Sequence, residues 1–345
     1  FPVVGKLKSK PKMIVSTEQI PKSWHRKIWR LAGPIILSNL SVPLLGAVDT
    51  AVVGHLPDPV YLGAVAIGSM VFSFIYWGFS FLRMGTTGLT AQAFGADDIQ
   101  EISVSLYRAL ILAILIALPI IILQVPIRFL ALHLVDASAP VETGAITYFN
   151  IRIWGAPATL AGYVTLGWFL GRQNTKIPLL LQLWTNGVNI LLDLLFVMGF
   201  GMNVDGVAYA TLIAEVSGAL LGGVFIIRCL RKDGGPGIKI MNLLDREALK
   251  RMFSINRDLF IRTISLLFAY AYFTAQSAKI GDVILAVNAV LMNLMGIAAY
   301  GLDGFAHAAE ALVGGAVGKG NRQDFRQAVK TAMQWGGGFA VLFAG

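Results

Sequence analysis

The sequence predicts an all-α polytopic membrane protein, and three observations predict it. The 345 residues are 56% hydrophobic and 14% charged, whereas a soluble domain is about 45–50% apolar and about 25% charged. Mean hydropathy is +0.69. Long apolar runs recur at near-regular spacing, each longer than the about 10 residues of a membrane β-strand. A helix satisfies its own backbone where lipid offers no water, so these runs read as helices.

Taken in order, residues 1–12 carry Lys6, Lys8, Lys10 and Lys12 and read as upstream translation or a tag, with Met13 a natural start. Residues 13–30 form a basic lead-in without a small-residue cleavage site. The first run, 31–56, is LAGPIILSNLSVPLLGAVDTAVVGHL. Its about 25 residues, at 1.5 Å each, reach across a bilayer core of roughly 30 Å. It contains Pro34 and Pro43, and Asp49 lies deep in its second half. Further runs follow at 62–94, 104–125, 153–170, 177–200, 206–227, 259–278, 283–317 and 328–345, which makes nine candidate spans.

Connector charge sets the expected orientation. Lys and Arg concentrate in the N-terminal segment and in 172–176, 228–251 and 319–330, while the alternate connectors are short or weakly acidic. Positive-inside counting puts the N-terminus in the cytoplasm, although the acidic turn at 95–101 runs against the bias. The same asymmetry accounts for the net charge of +9 and excludes any need for a nucleic-acid partner. The single Cys229 offers neither a disulfide framework nor a metal cluster, and no phosphate-binding glycine loop or HExxH is present, so soluble-enzyme chemistry has no footing.

The connector 228–251 contains Gly234, Gly235, Pro236 and Gly237 and reads as a linker between halves, because the pattern restarts after it. With a shift of 223 residues Gly78 falls on Gly301, Leu89 on Leu312, Ala93 on Ala316, Gly95 on Gly318 and Gln100 on Gln323. The expected organisation is a basic cytoplasmic segment (1–30), a six-helix N-lobe (31–230), a linker (231–252) and a partial C-lobe of three helices (253–345). Six spans before the linker and three after it imply a second lobe truncated by roughly 100 residues.

The polar residues inside the spans point to function. Asp49 lies 19 residues past Arg30, roughly 28 Å in by helix rise. Asp193 lies 17 residues past Lys176, roughly 25 Å in. Thr211 falls about 9 Å below Asp205 at the outer edge, a comparable level. Gln182, Asn186, Asn189 and Asp193 recur at spacings of 4, 3 and 4, a polar stripe on one helix face. The stripe either lines an aqueous cavity or bonds to a neighbouring helix. No Lys or Arg inside the spans offers the two acids a partner at that depth, with Arg152 the nearest outer-side candidate. An intramembrane acid without such a partner marks a functional site. Glu215 reads either as a second proton site or as a packing hydrogen bond. Asp303, His307 and Glu310 read as a solvated helix end near the inner boundary, with a secondary cavity site the alternative for Asp303 and Glu310; His55 reads as interfacial, and Met292 and Met295 as packing or adaptable binding surface.

The stretches VPLLGAVDTAVVGHL, YLGAVA, FLRMGTTGLTAQAFGADD and NILLDLLFVMGFGMNVDGVAYATLIAE resemble the multidrug and toxic compound extrusion (MATE) transporters, and within them the DNA-damage-inducible protein F branch. NAVLMNLMGIAAYGLDGFAHAAEALVGGAVG resembles the start of that branch's second half. The resemblance implies a bundle of two six-helix lobes around a central cavity, here with about nine of twelve helices. It also implies a cation site of Asp49 on the first helix, Asn189 and Asp193 on the fifth and Thr211 on the sixth. Leu45 stands where some archaeal members have a Tyr in that network.

The function expected is antiport: small, often cationic or amphipathic toxic compounds leave as protons, or sodium ions, enter. No cofactor beyond the coupling ion is expected. The partners are the lipid bilayer and small-molecule substrates, the chain a monomer in a bacterial inner membrane. Pro34 and Pro43 would give the first helix places to bend. Two alternatives remain: a lipid-linked oligosaccharide flippase, which needs a strongly cationic cavity, and an inactive fragment.

Overall fold

The structure, a computed structural model, describes residues 22–56, 58–135, 137–234 and 243–344. Among them the chain is helical between short turns: α1 (Lys22–Gly54), α2 (Pro59–Gly78), α3 (Phe81–Gly95), α4 (Ile99–Ile122), α5 (Gln124–Val135), α6 (Ala139–Arg152), α7 (Ala156–Gly171), α8 (Lys176–Asp193), α9 (Val204–Lys232), α10 (Arg246–Ile280), α11 (Asp282–Gly318) and α12 (Arg322–Ala344). Among the described residues, Ser23–Gly54, Pro59–Gly95, Ile99–Ile122, Lys176–Gly199 and Val204–Lys232 are helical stretches long and apolar enough to cross a membrane. Gly235, Pro236 and Gly237 of the expected linker lie outside the described residues.

Local chemistry sets the helix starts. Asp58 accepts a hydrogen bond from the Val60 amide with Pro59 in the first turn, and Asp98 and Asp245 accept from Glu101 N and Ala248 N at 2.9 and 2.8 Å. These caps satisfy amides that have no partner within the helix. The faces show why the helices need lipid. On α4, Ala109, Ala113 and Ala117 are buried while Ile111, Ile114, Leu115, Leu118 and Ile122 are exposed. A helix apolar on its outer face as well as its inner face is a membrane helix.

Two expected spans are built differently. The run 62–94 is broken at Phe79–Ser80 into α2 and α3. The run at 153–170 begins at Ala139, because α6 leads into a 3-10 turn, Ile153–Gly155, before α7. Glu142, Thr143, Thr147, Asn150 and Arg152 dilute the hydropathy of α6, yet its Ala145, Tyr148 and Phe149 are buried in the core. The run 177–200 ends in a π-helical turn, Leu194–Gly199, directly after Asp193. The run 283–317 is one continuous helix, α11.

The main core gathers Phe72, Leu106, Phe149, Leu160, Trp168 and Phe169 from α2, α4, α6 and α7, with Val52 and Val53 from the end of α1. A second core joins Trp24, Ile28, Leu31 and Ala32, from the start of α1, to Phe305, Ala308, Ala311 and Leu312 of α11 and Ala328 of α12. Helix α1 therefore belongs to two packing units, one reaching to Ile36 and one from Val48 onward. Between them Leu40, Val42 and Leu44 are exposed.

Helices α3 and α11 meet along small residues. A Cβ on Gly95 would overlap the Gly315 carbonyl, one on Gly318 would overlap the Gln92 carbonyl, and one on Gly314 would sit 2.6 Å from the Ala91 Cβ. Residues 91 and 314, 92 and 315, and 95 and 318 are each 223 apart, so this contact maps onto itself under the repeat. Reciprocal pairing of this kind is what two related halves produce when they meet on a local two-fold axis.

Candidate functional site

Helix α8 presents its polar residues on the face turned inward: Asn186, Asn189 and Asp193 are buried, Asp193 fully. The stripe divides in two. In its first half Gln182 Nε2 donates to Asn186 Oδ1 at 2.9 Å, and Asn186 Nδ2 donates to Ser41 Oγ at 2.9 Å and, more weakly, to Ser41 O at 3.4 Å. Here the amides join α8 to α1, the interhelical bonding that the sequence left open for them.

In the second half Asn189 Nδ2 donates to Thr211 Oγ1 at 3.4 Å, and Thr211 donates to the Val207 carbonyl at 2.9 Å. Asp193, one turn further along α8, comes within hydrogen-bond reach of Asp49 on α1. A hydrogen bond between two carboxyl groups needs a proton on one of them. Asp49 Oδ1, both Asp193 carboxyl oxygens and Asn189 Oδ1 are buried with no donor among the described residues. Buried acceptors in that condition are costly unless something positive reaches them. Oxygens from two carboxylates, an amide and a hydroxyl form a donor set that suits a proton or a small hard cation. Asp49, Asn189, Asp193 and Thr211 are thus brought together by α1, α8 and α9.

A second polar cluster lies beside the first; the sequence singled out its members, Arg152 and Glu215, but not their pairing. Arg152 is buried, and its Nη1 pairs with Glu215 Oε2 at 2.6 Å. Thr159 Oγ1 also donates to Glu215 Oε2, at 2.9 Å. The Arg152 guanidinium stands over the Phe72 ring, 5.2 Å from its centroid. The pair rests on the helix break: a Cβ on Gly155 would lie 2.8 Å from Glu215 Oε2. Glu215 follows Thr211 by four residues, so both lie on one face of α9. That spacing was the available signal; the break at 153–155, which carries Arg152 into the bundle, left none.

The third group sits where α3 meets α11. Arg83 Nη1 lies 3.1 Å from His307 Nδ1, and Glu310 Oε2 lies 3.6 Å from the same nitrogen. His307 Nδ1 can accept from Arg83 or donate to Glu310, not both. The expectation of a solvated helix end is therefore corrected for His307 and Glu310: α11 continues to Gly318, packed through Phe305, Ala308 and Leu312, while Asp303 alone of the three is exposed. His55 is exposed and bonded to the Ala51 carbonyl; Met295 is exposed and Met292 half-buried.

Comparison with known proteins follows from this arrangement. The family model described as MatE matches residues 34–195. The chain is 43% identical over 322 residues to the DNA damage-inducible protein F of Escherichia coli (strain K12), covering 93% of this chain and 70% of that protein. It is 26% identical over 324 residues to the probable multidrug resistance protein NorM of Caulobacter vibrioides, covering 92% of this chain and 68% of that protein. A solved crystal structure of a MATE protein in the straight conformation superposes with a TM-score of 0.82 at 23% identity, over 92% of this chain and 71% of that one.

Proposed function

The chain belongs to the MatE family of multidrug and toxic-compound efflux transporters, and on that premise we propose that it is a cation-coupled antiporter. In this reading Asp49 and Asp193 carry the coupling proton, with Asn189 and Thr211 completing the site. Sodium is the variant the same oxygens would serve. The observation that carries the reading is the meeting of two carboxylates from separate helices, with buried oxygens that lack donors.

Two ionised carboxylates about 4 Å apart repel by about 4 kcal/mol at an effective dielectric near 20. A proton or cation between them replaces that repulsion with a bond and draws α1 onto α8. Its release sets α1 free. Because the start of α1, to Ile36, packs on α11 and α12 and its end, from Val48, on the main core, motion of its second half is transmitted to the partner helices. The two prolines remove backbone hydrogen bonds where the helix would flex. The helix is continuous across both. With the N-terminus in the cytoplasm, the aspartate pair lies toward the outer side, where protons are drawn inward. Each proton contributes about 2.3 kcal/mol per 100 mV. Efflux of a small toxic compound would be driven by that inward step.

The test is dye efflux from vesicles holding the protein expressed from its whole gene, under an imposed proton gradient or an imposed sodium gradient. Asp49→Asn and Asp193→Asn should each reduce gradient-driven efflux to the empty-vesicle level while the protein still folds. Full efflux by Asp49→Asn would refute the coupling role, and drive by sodium alone would assign the ion.

A further inference from the structure

We propose that Arg152, held by Glu215, is the internal counter-charge of the aspartate site, a positioning residue that shares one positive charge between Glu215 and the Asp49–Asp193 pair. The inference rests on the coupling role proposed for those aspartates. Its grounds are the burial, pairing and placement of these residues, together with the electrostatic influence of Arg152 on Asp49. Arg152 is buried at the break between α6 and α7, and Glu215 occupies one side of its guanidinium. Arg152 Nε is buried without a partner among the described residues, so the guanidinium has donor capacity that Glu215 does not use. Asp49 and Asp193 carry buried acceptors that lack donors among the described residues. Arg152 is close enough for its charge to act on Asp49. Thr211 and Glu215, one turn apart on α9, place the two clusters at successive levels of one helix face.

The groups facing Arg152 are few. From α1 comes Asp49, from α2 Tyr76, from its own helix Tyr148 and from α9 Glu215. Tyr163 of α7 faces Glu215 and Arg152, with Arg83 of α3 beyond it. Within this set Arg152 carries the positive charge next to the aspartates, and Glu215 decides how much of it they receive. When the pair is loaded with a proton, Arg152 is drawn to Glu215. When the pair is empty and anionic, Arg152 is drawn toward it, which limits the cost of an unloaded site.

The arrangement predicts opposite effects from its two members. Arg152→Gln removes a positive charge near the aspartates, so proton loading persists to higher pH and the pH midpoint of efflux rises. Glu215→Gln leaves that charge undivided, so the midpoint falls. Each shift should be about one pH unit, the size for a unit charge roughly 10 Å away at an effective dielectric near 20. The double variant Arg152→Gln/Glu215→Gln removes both charges and should return the midpoint to near that of the unmodified protein. The measurement is proton-gradient-driven efflux against pH in sodium-free vesicles, with thermal midpoints recorded for each variant. Should Arg152→Gln fail to fold, Arg152→Lys combined with Glu215→Gln keeps a cation without its partner and should still lower the midpoint. Single variants that shift together, or not at all, overturn the proposal, because a purely structural ion pair predicts lost stability without opposed pH shifts. Asp49→Asn is run alongside: if it retains efflux the coupling reading falls and takes this inference with it. If it loses efflux while the midpoints stay fixed, only the role of Arg152 is overturned.

Discussion

Replacing Gly314 by Ala tests the contact that joins α3 to α11. A Cβ there would lie 2.6 Å from the Ala91 Cβ, with the Gly88 carbonyl 3.6 Å away. Carbon atoms rest at about 3.5–4.0 Å, so the helices must part by about 1 Å at this level. They cannot part at one point only, since the Gly95–Gly315 and Gln92–Gly318 contacts flank it with backbone against backbone. Overpacking of this kind costs about 1–3 kcal/mol, which at about 2–4 °C per kcal/mol lowers the thermal midpoint by several degrees. Gly162→Ala and Gly223→Ala are the controls, because a Cβ at either meets nothing within 4 Å. An alanine in an open helical position favours the helix by about 0.5–1 kcal/mol. The sign of the effect should therefore reverse between Gly314 and the controls. The assay is thermal unfolding in detergent, paired with passive dye leakage from vesicles, which should increase for Gly314→Ala as the seam opens. A Gly314→Ala protein that melts with the controls, or above the unmodified protein, would refute the packing argument.

Three further outcomes are expected. Ser41→Ala removes the closer of the two acceptors that tie Asn186 to α1 and should cost about 1 kcal/mol in thermal stability while leaving the pH midpoint of efflux unchanged; a shifted midpoint would join Gln182 and Asn186 to the coupling site. Trp168→Phe deletes the 2.9 Å bond from Nε1 to the Ile102 carbonyl in a fully buried position. It should lower stability by about 1–3 kcal/mol in a denaturation series, and an unchanged midpoint there would show that the carbonyl is not stranded. Pro34→Ala/Pro43→Ala restores two backbone bonds in α1 and should slow initial efflux severalfold under a saturating gradient without weakening the fold; an unchanged rate would remove the prolines from the mechanism.

How much of this was legible in the chain depends on the kind of geometry each feature needs. Asp49 and Asp193 could be placed at one depth, and the amides of α8 on one face, because helix rise and period are local and bilayer thickness is fixed. The repeat at 223 residues was visible as matched small residues, though not as the contact those residues make. Three features stayed hidden. The stripe on α8 reads as one unit in the sequence, yet its halves have different partners: Asn186 bonds to Ser41 of α1, while Asn189 bonds to Thr211 of α9 and Asp193 meets Asp49. Arg152 reads as an outer-edge residue because α6 is polar enough to look like a loop. His307 and Glu310 read as solvated because α11 is longer than one crossing requires.

The sequence by itself therefore indicated most of the helices and the single polar face of α8, since both follow from helix rise, helix period and the length of apolar run that lipid demands. Tertiary structure decided which face meets which: Asp193 toward Asp49, Arg152 onto Glu215, His307 beside Arg83, and Gly314 on Ala91. The reason is that lipid tails are as apolar as the helices they surround, so apolar patterning says little about neighbours. The choice is made by small residues that allow close approach and by polar groups that must find one another.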